Sequence, residues 1–111
     1  MALLTAHILT DDDTFRKTAA DLLRSGAVPI SLSDAVSTQS GVPVDLVVVD
    51  GRNQHAYAFS EIERLRIAAP SASIFMVALE SGPDLILQAM RAGANEFFAW
   101  PPADKSFQEA I

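Results

Sequence analysis

The chain has 111 residues, half of them hydrophobic, with no cysteine and a formal net charge of -6. This length suits one domain with a single core, and the acidic balance argues against a nucleic-acid surface, because phosphate contacts need clustered basic side chains. The lack of cysteine excludes disulfides and thiolate metal sites. No apolar run approaches the ~20 residues that cross a bilayer and no signal-peptide profile opens the chain, so we expect a cytoplasmic protein without membrane insertion.

Hydrophobic patterning predicts five strands that alternate with five helices. The strands are predicted over 3–9, 27–31, 46–49, 74–79 and 96–100. Each is followed by a helix: the first is capped by Asp12 or Asp13, the second is brief and starts at Ser33, the third lies around 59–65, the fourth is opened by Pro83 and ended by Gly93, and the fifth covers 104–111. The alternation predicts an α/β, doubly wound parallel sheet with helices on both faces. We expect a single domain over 1–111 that looks clipped within its last helix.

Carboxylates follow two of the predicted strands. Asp11 and Asp12 come after the first strand, and Asp50 ends the third. In such sheets the working site lies at the carboxyl ends of the strands, so we expect these side chains to meet there. Because clustered carboxylates repel one another, a divalent metal, a shared proton or a cationic side chain normally neutralises them. The pattern predicts an acidic pocket in which Mg²⁺ binding stays open, with Asp13 as a helix cap rather than a ligand.

Over nearly its whole length the chain resembles the receiver domain of two-component response regulators. The resemblance rests on Asp11-Asp12, on the run from Asp45 to Asp50, and on Ala92-Gly93-Ala94 at the end of the fourth predicted helix. It implies the flavodoxin-like (CheY-like) fold with strand order 2-1-3-4-5. It also implies that Asp50 would accept a phosphoryl group from a histidine kinase or phosphotransferase, with Mg²⁺ held by the acidic cluster.

Two of the five positions on which the family's chemistry depends carry other residues. The resemblance places Ala78 where the family has Thr or Ser, and Trp100 where it has Lys before a proline, while the switch aromatic falls on Phe97. Ala78 has no hydroxyl and Trp100 has no ammonium, so the usual readout cannot operate and phosphorylation of Asp50 stays open. Arg52 is either a loop residue facing water or a counter-cation that reaches the carboxylates in the metal's place.

These departures, together with segments 88–93 and 95–101, resemble the atypical receiver domain at the N-terminus of CpaE/TadZ pilus-assembly ATPases. The resemblance implies a regulatory protein-interaction and dimerisation module beside a tethered output or ATPase domain. In receivers the face formed by the fourth helix, fifth strand and fifth helix often makes dimers. Phe97 and Phe98 point opposite ways on the fifth strand, so we expect one in the core and one at that face. Trp100 either packs in the core or anchors a partner.

Two alternatives to a protein-interaction module that is not phosphorylated stay open. One is a conventional receiver that is phosphorylated at Asp50 in the presence of Mg²⁺, with Ala78 only blunting the response. The other is a small-ligand binder on the same flavodoxin-like topology, such as a cobalamin or flavin module. No Gly-rich phosphate loop, nucleophile elbow or zinc motif occurs in the chain, so we do not expect an independent enzyme.

Overall fold

The computed structural model describes residues 4–26, 28–32, 44–102 and 106–110. The elements are β1 Leu4–Leu9, α1 Asp13–Arg24, β2 Ile30–Leu32, β3 Leu46–Asp50, α2 His55–Ala68, β4 Ser73–Ala78, α3 Pro83–Ala92, β5 Glu96–Ala99 and α4 Ser106–Ala110. The helix predicted from Ser33 lies outside the described residues, so the fourth and fifth predicted helices are α3 and α4. The strands pair in parallel in the order β2-β1-β3-β4-β5, which confirms the predicted CheY-like fold class.

The central strands are apolar on both faces because helices cover both faces of the sheet. Successive side chains on a strand point to opposite sides. Val48 therefore joins the core cluster on the side of α1 and α4, whereas Val47 and Val49 join the cluster on the side of α2 and α3. All three are essentially inaccessible to solvent. This arrangement accounts for the continuous β-branched run that the sequence shows in β3.

The paired phenylalanines of β5 follow the same alternation. Phe98 packs against Phe75 and Phe107 on the α1 side, with ring centroids 5.3 and 4.8 Å away. Phe97 packs against the cluster on the α2 and α3 side. The two rings point to opposite faces as expected, but each is half-buried and packs against a core cluster, so the structure does not divide them into one core ring and one surface ring.

The helix ends show why α1 begins where it does. Asp12 is the N-cap, and its Oδ1 accepts hydrogen bonds from the N–H groups of Thr14 and Phe15 at 2.9 and 3.1 Å. Of the two predicted cap candidates Asp12 is thus confirmed, whereas Asp13 is already helical and pairs with Arg16 one turn later. At the other end of the chain, α3 opens on Pro83 and ends at Gly93, as predicted.

Several strand boundaries differ from the prediction, among them those of β2 and β4. β2 begins at Ile30 rather than at 27, since Pro29 has no N–H to donate to a neighbouring strand and supplies only its carbonyl, which accepts from the Leu4 N–H at 3.1 Å. β4 ends at Ala78, and Leu79 beyond it is 59% exposed. Within the described residues, none of the helices has the length and apolar character needed to cross a membrane.

Candidate functional site

The carboxyl ends of β1 and β3 lie side by side. Leu9 is paired with Val49 in the register of the two strands, so the residues that follow each strand emerge at the same edge of the sheet. Asp50 is the last residue of β3, and Asp12 caps the helix that begins after β1. The topology thus brings together two of the acidic side chains that the sequence singles out.

Asp50 is a half-buried carboxylate with both oxygens engaged. Its Oδ1 accepts from the backbone N–H of Arg52 at 3.1 Å and from the Nε of that side chain at 2.9 Å. Its Oδ2 accepts from Nη2 of Arg52 at 3.0 Å and from the Thr10 hydroxyl at 2.7 Å. Four donors therefore surround this carboxylate, which satisfies a buried acid without a metal.

The Arg52 guanidinium bridges the two carboxylates. Its Nη2 donates to Oδ2 of Asp12 at 2.9 Å as well as to Asp50, so one planar cation contacts acidic groups from two segments of the chain. The Arg52 side chain is 16% exposed and that of Asp50 is 10% exposed, whereas that of Asp12 is 46% exposed. The contact with Asp50 is therefore the more shielded of the two, and the alternative that Arg52 faces water does not describe this structure.

The ionisation of the three groups follows from these contacts. Burial raises the pKa of Asp50, but hydrogen bonds from Arg52 and Thr10 outweigh it, so that the pKa lies below its ordinary value. The hydrogen bond from Arg52, followed by that from the Phe15 N–H, lowers the pKa of Asp12. The same carboxylates raise the pKa of the Arg52 guanidinium. At neutral pH the cluster therefore holds two carboxylates and one permanent cation.

The residues as arranged do not fit a bound Mg²⁺. In the part of the chain that the structure describes, no group of three or more Asp, Glu or His side chains is placed to hold a metal ion. The predicted trio of Asp11, Asp12 and Asp50 is thus not assembled as a ligand set, because Arg52 occupies oxygens of Asp50 and Asp12 and the other oxygen of Asp12 caps α1. Asp11 is exposed and lines the open cleft beside the cluster.

Arg52 also lies on an aromatic pair. Its Cζ is 4.4 Å from the centroid of the Phe15 ring, and the Trp100 ring centroid is 4.5 Å from that of Phe15. Trp100 is half-buried and packs against the core cluster on the α1 side. Of the two interpretations of this residue, core packing is therefore the one that these contacts favour.

Ala78 and Phe97, the other two positions that the resemblance singles out, lie on the opposite face of the sheet from the Phe15 and Trp100 rings. Ala78 is fully buried at the end of β4, and Phe97 packs against the same cluster from β5. The methyl group of Ala78 offers no hydrogen bond to a group at Asp50. The carbonyl of Ala78 accepts from the Trp100 N–H at 2.8 Å, which joins the ends of the two strands.

Sequence reasoning missed two residues of this site. Thr10 donates to Asp50 and its oxygen also accepts from the Asp12 N–H at 3.1 Å, so its hydroxyl links both carboxylate segments. Its position between the strand end and the acidic pair was the available signal. Phe15 is the second such residue, and no pattern in the sequence indicates that its ring faces a cation.

Comparisons with known proteins agree with this architecture. The transcriptional regulatory protein FixJ of Azorhizobium caulinodans is 26% identical over 97% of this chain and 53% of its own, so the chain spans about half the length of this curated relative. A CpaE protein of Burkholderia thailandensis, assigned to pilus assembly, superposes with a TM-score of 0.78 at 19% identity, covering 99% of this chain and 94% of that one. No family model matches the chain.

A response regulator of Burkholderia pseudomallei, solved with a phosphorylated aspartic acid, a calcium ion and citrate, superposes with a TM-score of 0.74 at 19% identity, covering 97% of this chain and 66% of that one. The strand order and parallel pairing define a CheY-like fold, and the sequence similarity to FixJ extends over nearly the whole chain. Its structural neighbours include response regulators and proteins of the CpaE/TadZ type.

Proposed function

We propose that the chain is an atypical receiver domain that acts as a regulatory protein-interaction module. Its acidic pocket is neutralised by its own Arg52 rather than by Mg²⁺. The observation that carries the proposal is the guanidinium bound to both Asp12 and Asp50. Ala78 and Trp100, which lack the hydroxyl and the ammonium of phosphate-reading receivers, support it. The module would regulate or position a tethered output or ATPase domain within a longer signal-transduction or pilus-assembly protein, and would have no enzymatic activity of its own.

The same contacts oppose phosphorylation of Asp50. A phosphoryl donor must approach a free carboxylate oxygen, and here each oxygen accepts two hydrogen bonds. In phosphoryl transfer the metal neutralises the negative charge that develops on the transferred oxygens. Placing a metal at Asp50 would first require Arg52 to leave, with the loss of its contacts to both carboxylates. We therefore expect Asp50 to react slowly or not at all with a small phosphoryl donor.

Acetyl phosphate with Mg²⁺ tests this directly. Intact mass should show unmodified protein, and the amide spectrum should not change with a fluoroberyllate mimic. Arg52→Ala serves as the positive comparison, because it keeps Asp50 and removes the cation. A stoichiometric adduct on the natural sequence that disappears in Asp50→Asn would instead support the rival reading, a phospho-accepting receiver like the Burkholderia pseudomallei regulator.

We place the partner surface on the face formed by α3, β5 and α4. Leu87 and Met90 of α3 are apolar and 47% and 37% exposed, and we propose that they belong to this surface. The partner would be a second copy of the chain or the tethered domain. Sedimentation equilibrium should show self-association that Leu87→Glu or Met90→Glu weakens. Ile67→Glu on α2, where Ile67 is 81% exposed, is the control; equal weakening by all three variants would reject the face.

A small-ligand module remains as the alternative of another class, because a cleft of about 440 Å³ opens beside the acidic cluster. Asp11, Asn53, Gln54 and Tyr57 are among the residues that line it. A visible absorption spectrum of the purified protein, followed by equilibrium dialysis against flavin mononucleotide and cobalamin, decides this reading. Colourless protein that takes up neither cofactor would dismiss it, whereas retained chromophore would replace the interaction module as the leading function.

A further inference from the structure

We infer that Phe15 and Trp100 are positioning residues for Arg52, forming an aromatic support of two tilted rings that holds the guanidinium between Asp12 and Asp50. The inference rests on the proposed role of Arg52 as the cation of the pocket and adds how the chain keeps that cation in place. It assigns a shared task to two residues that belong to separate elements, the first turn of α1 and the segment after β5.

The contacts form a continuous path from the core to the pocket. The Trp100 ring packs on the Phe15 ring at 4.5 Å, and the Phe15 ring lies 4.4 Å from Cζ of Arg52. Phe15 is 2% exposed, so its ring has a fixed orientation within the core. The face of an aromatic ring attracts a cation, and the attraction is strongest where water is excluded, as it largely is around the Arg52 side chain.

Hydrogen bonds alone leave the guanidinium incompletely held. The carboxylates contact it through Nε and Nη2, which lie along one edge of its plane. The Phe15 ring contacts the guanidinium near its central carbon, away from that edge, and this further contact restricts movement that the edge contacts alone would permit. The Phe15 N–H also donates to Asp12, so the residue that supports the cation is tied by its backbone to one of the anions that the cation binds.

The backbone of Trp100 is fixed in turn. Its N–H donates to the carbonyl of Ala78 at 2.8 Å, which sets the ring beside Phe15 at the end of the sheet. The position that carries a lysine in the resembled family here carries an aromatic ring, and a cation enters the pocket from Arg52 instead. The ring at position 100 is therefore linked to the cation at position 52: Trp100 supports Arg52 through Phe15.

The Nε–H resonance of Arg52 provides a measurement specific to this contact. We expect Phe15→Leu and Trp100→Leu to speed its exchange with solvent roughly three- to tenfold, by loosening the guanidinium. Trp100→Phe, which keeps a ring, should restore much of the slow exchange. Phe75→Leu is the matched control, because Phe75 is 1% exposed in the same core cluster and has no contact with Arg52 among the described interactions.

The outcomes separate the inference from general loss of stability. Equal acceleration by Phe15→Leu and Phe75→Leu would overturn it, as would Trp100→Leu and Trp100→Phe with the same exchange rate. If Phe15→Leu does not fold, the two Trp100 variants decide alone. Mg²⁺ affinity separates it from the proposed function: should Arg52→Ala bind Mg²⁺ no better than the natural sequence, the proposed pocket role fails, while the exchange rates still report whether the rings hold Arg52.

Discussion

Replacing Arg52 with alanine removes the only cation that contacts both carboxylates among the described ion pairs. Asp50, whose side chain is 10% exposed, would then keep a single side-chain donor, the Thr10 hydroxyl at 2.7 Å. The carboxylate would stay buried but would lose the guanidinium that offsets most of the cost of burying its charge. Arg52→Ala should therefore destabilise the folded state through an uncompensated acid rather than through a cavity.

The expected magnitude lies between two limits. Removing one partner of a fully buried ion pair costs about 3–5 kcal/mol, whereas a solvent-exposed pair contributes about 0–1 kcal/mol. The Arg52–Asp50 pair is shielded but borders an open cleft through which water can reach the acid. We expect the free energy of unfolding to fall by about 2 kcal/mol at neutral pH. Arg64→Ala is the matched control: Arg64 is 58% exposed and pairs with Glu61 one turn away, so its loss should cost less than about 1 kcal/mol.

The loss of stability in Arg52→Ala should depend on pH in a direction that follows from the pKa of Asp50. The pKa of Asp50 is lowered in the folded state, so its stabilisation is present above the unfolded pKa of about 3.9 and is lost as the pH falls through the lower folded value. Arg52→Ala removes the side-chain hydrogen bonds that lower the pKa of Asp50, so this pKa should be higher in the variant than in the natural sequence. Protonation of Asp50 then removes the buried charge in the variant. The difference in free energy of unfolding between the natural sequence and the variant should therefore shrink from neutral pH to about pH 4.

Urea unfolding at both pH values, with chelator and with millimolar Mg²⁺, measures these effects. Mg²⁺ should stabilise Arg52→Ala and leave the natural sequence unchanged, because a ligand stabilises only the folded state that binds it and the carboxylates are free only in the variant. A loss no larger than that of Arg64→Ala, or a deficit that grows on acidification, would refute the reasoning that Arg52 neutralises a buried acid.

Two further substitutions test the framework around the site, each by urea unfolding. Gly93→Ala should lower the free energy of unfolding by about 1–2 kcal/mol, because Gly93 has a φ of 126°. Gly82→Ala, where an added Cβ meets nothing within 4 Å and φ is negative, should cost clearly less. Thr10→Val should cost about 1–2 kcal/mol by removing a donor to Asp50, whereas Thr18→Val on the exposed side of α1 should cost clearly less. Equal losses within either pair would contradict the corresponding explanation.

The sequence predicts the sheet well because its signals are local. Buried strands such as β3 show unbroken apolar runs, and Pro83 and Gly93 mark the two ends of α3 through backbone preferences of their own. The start of α1 was harder, since Asp12 and Asp13 are chemically identical candidates for the cap. Which of them begins the helix depends on the path of the chain out of β1, and single-residue preferences do not contain that information.

The part of the site that could be predicted from the sequence is the part that the sheet topology determines. That Asp12 and Asp50 meet follows from parallel strands ending at one edge. That Asp11 does not join them as a ligand, and that Arg52 turns inward, are matters of side-chain direction in loops, where no periodicity applies. The contact of Phe15 with Arg52 likewise depends on packing between α1 and the loop after β3, which the sequence alone does not specify.

A bound metal and a built-in guanidinium differ in one physical respect that matters for regulation. A metal ion leaves and returns with its concentration, and its pocket can therefore be emptied, filled and coupled to a transferred phosphoryl group. Arg52 is covalently part of the chain, and its neighbours raise a pKa that is already high, so it remains charged wherever the domain is folded. If Arg52 closes the pocket as proposed, the pocket would not respond to Mg²⁺, and regulation by the domain would have to act through what its surface binds rather than through chemistry at Asp50.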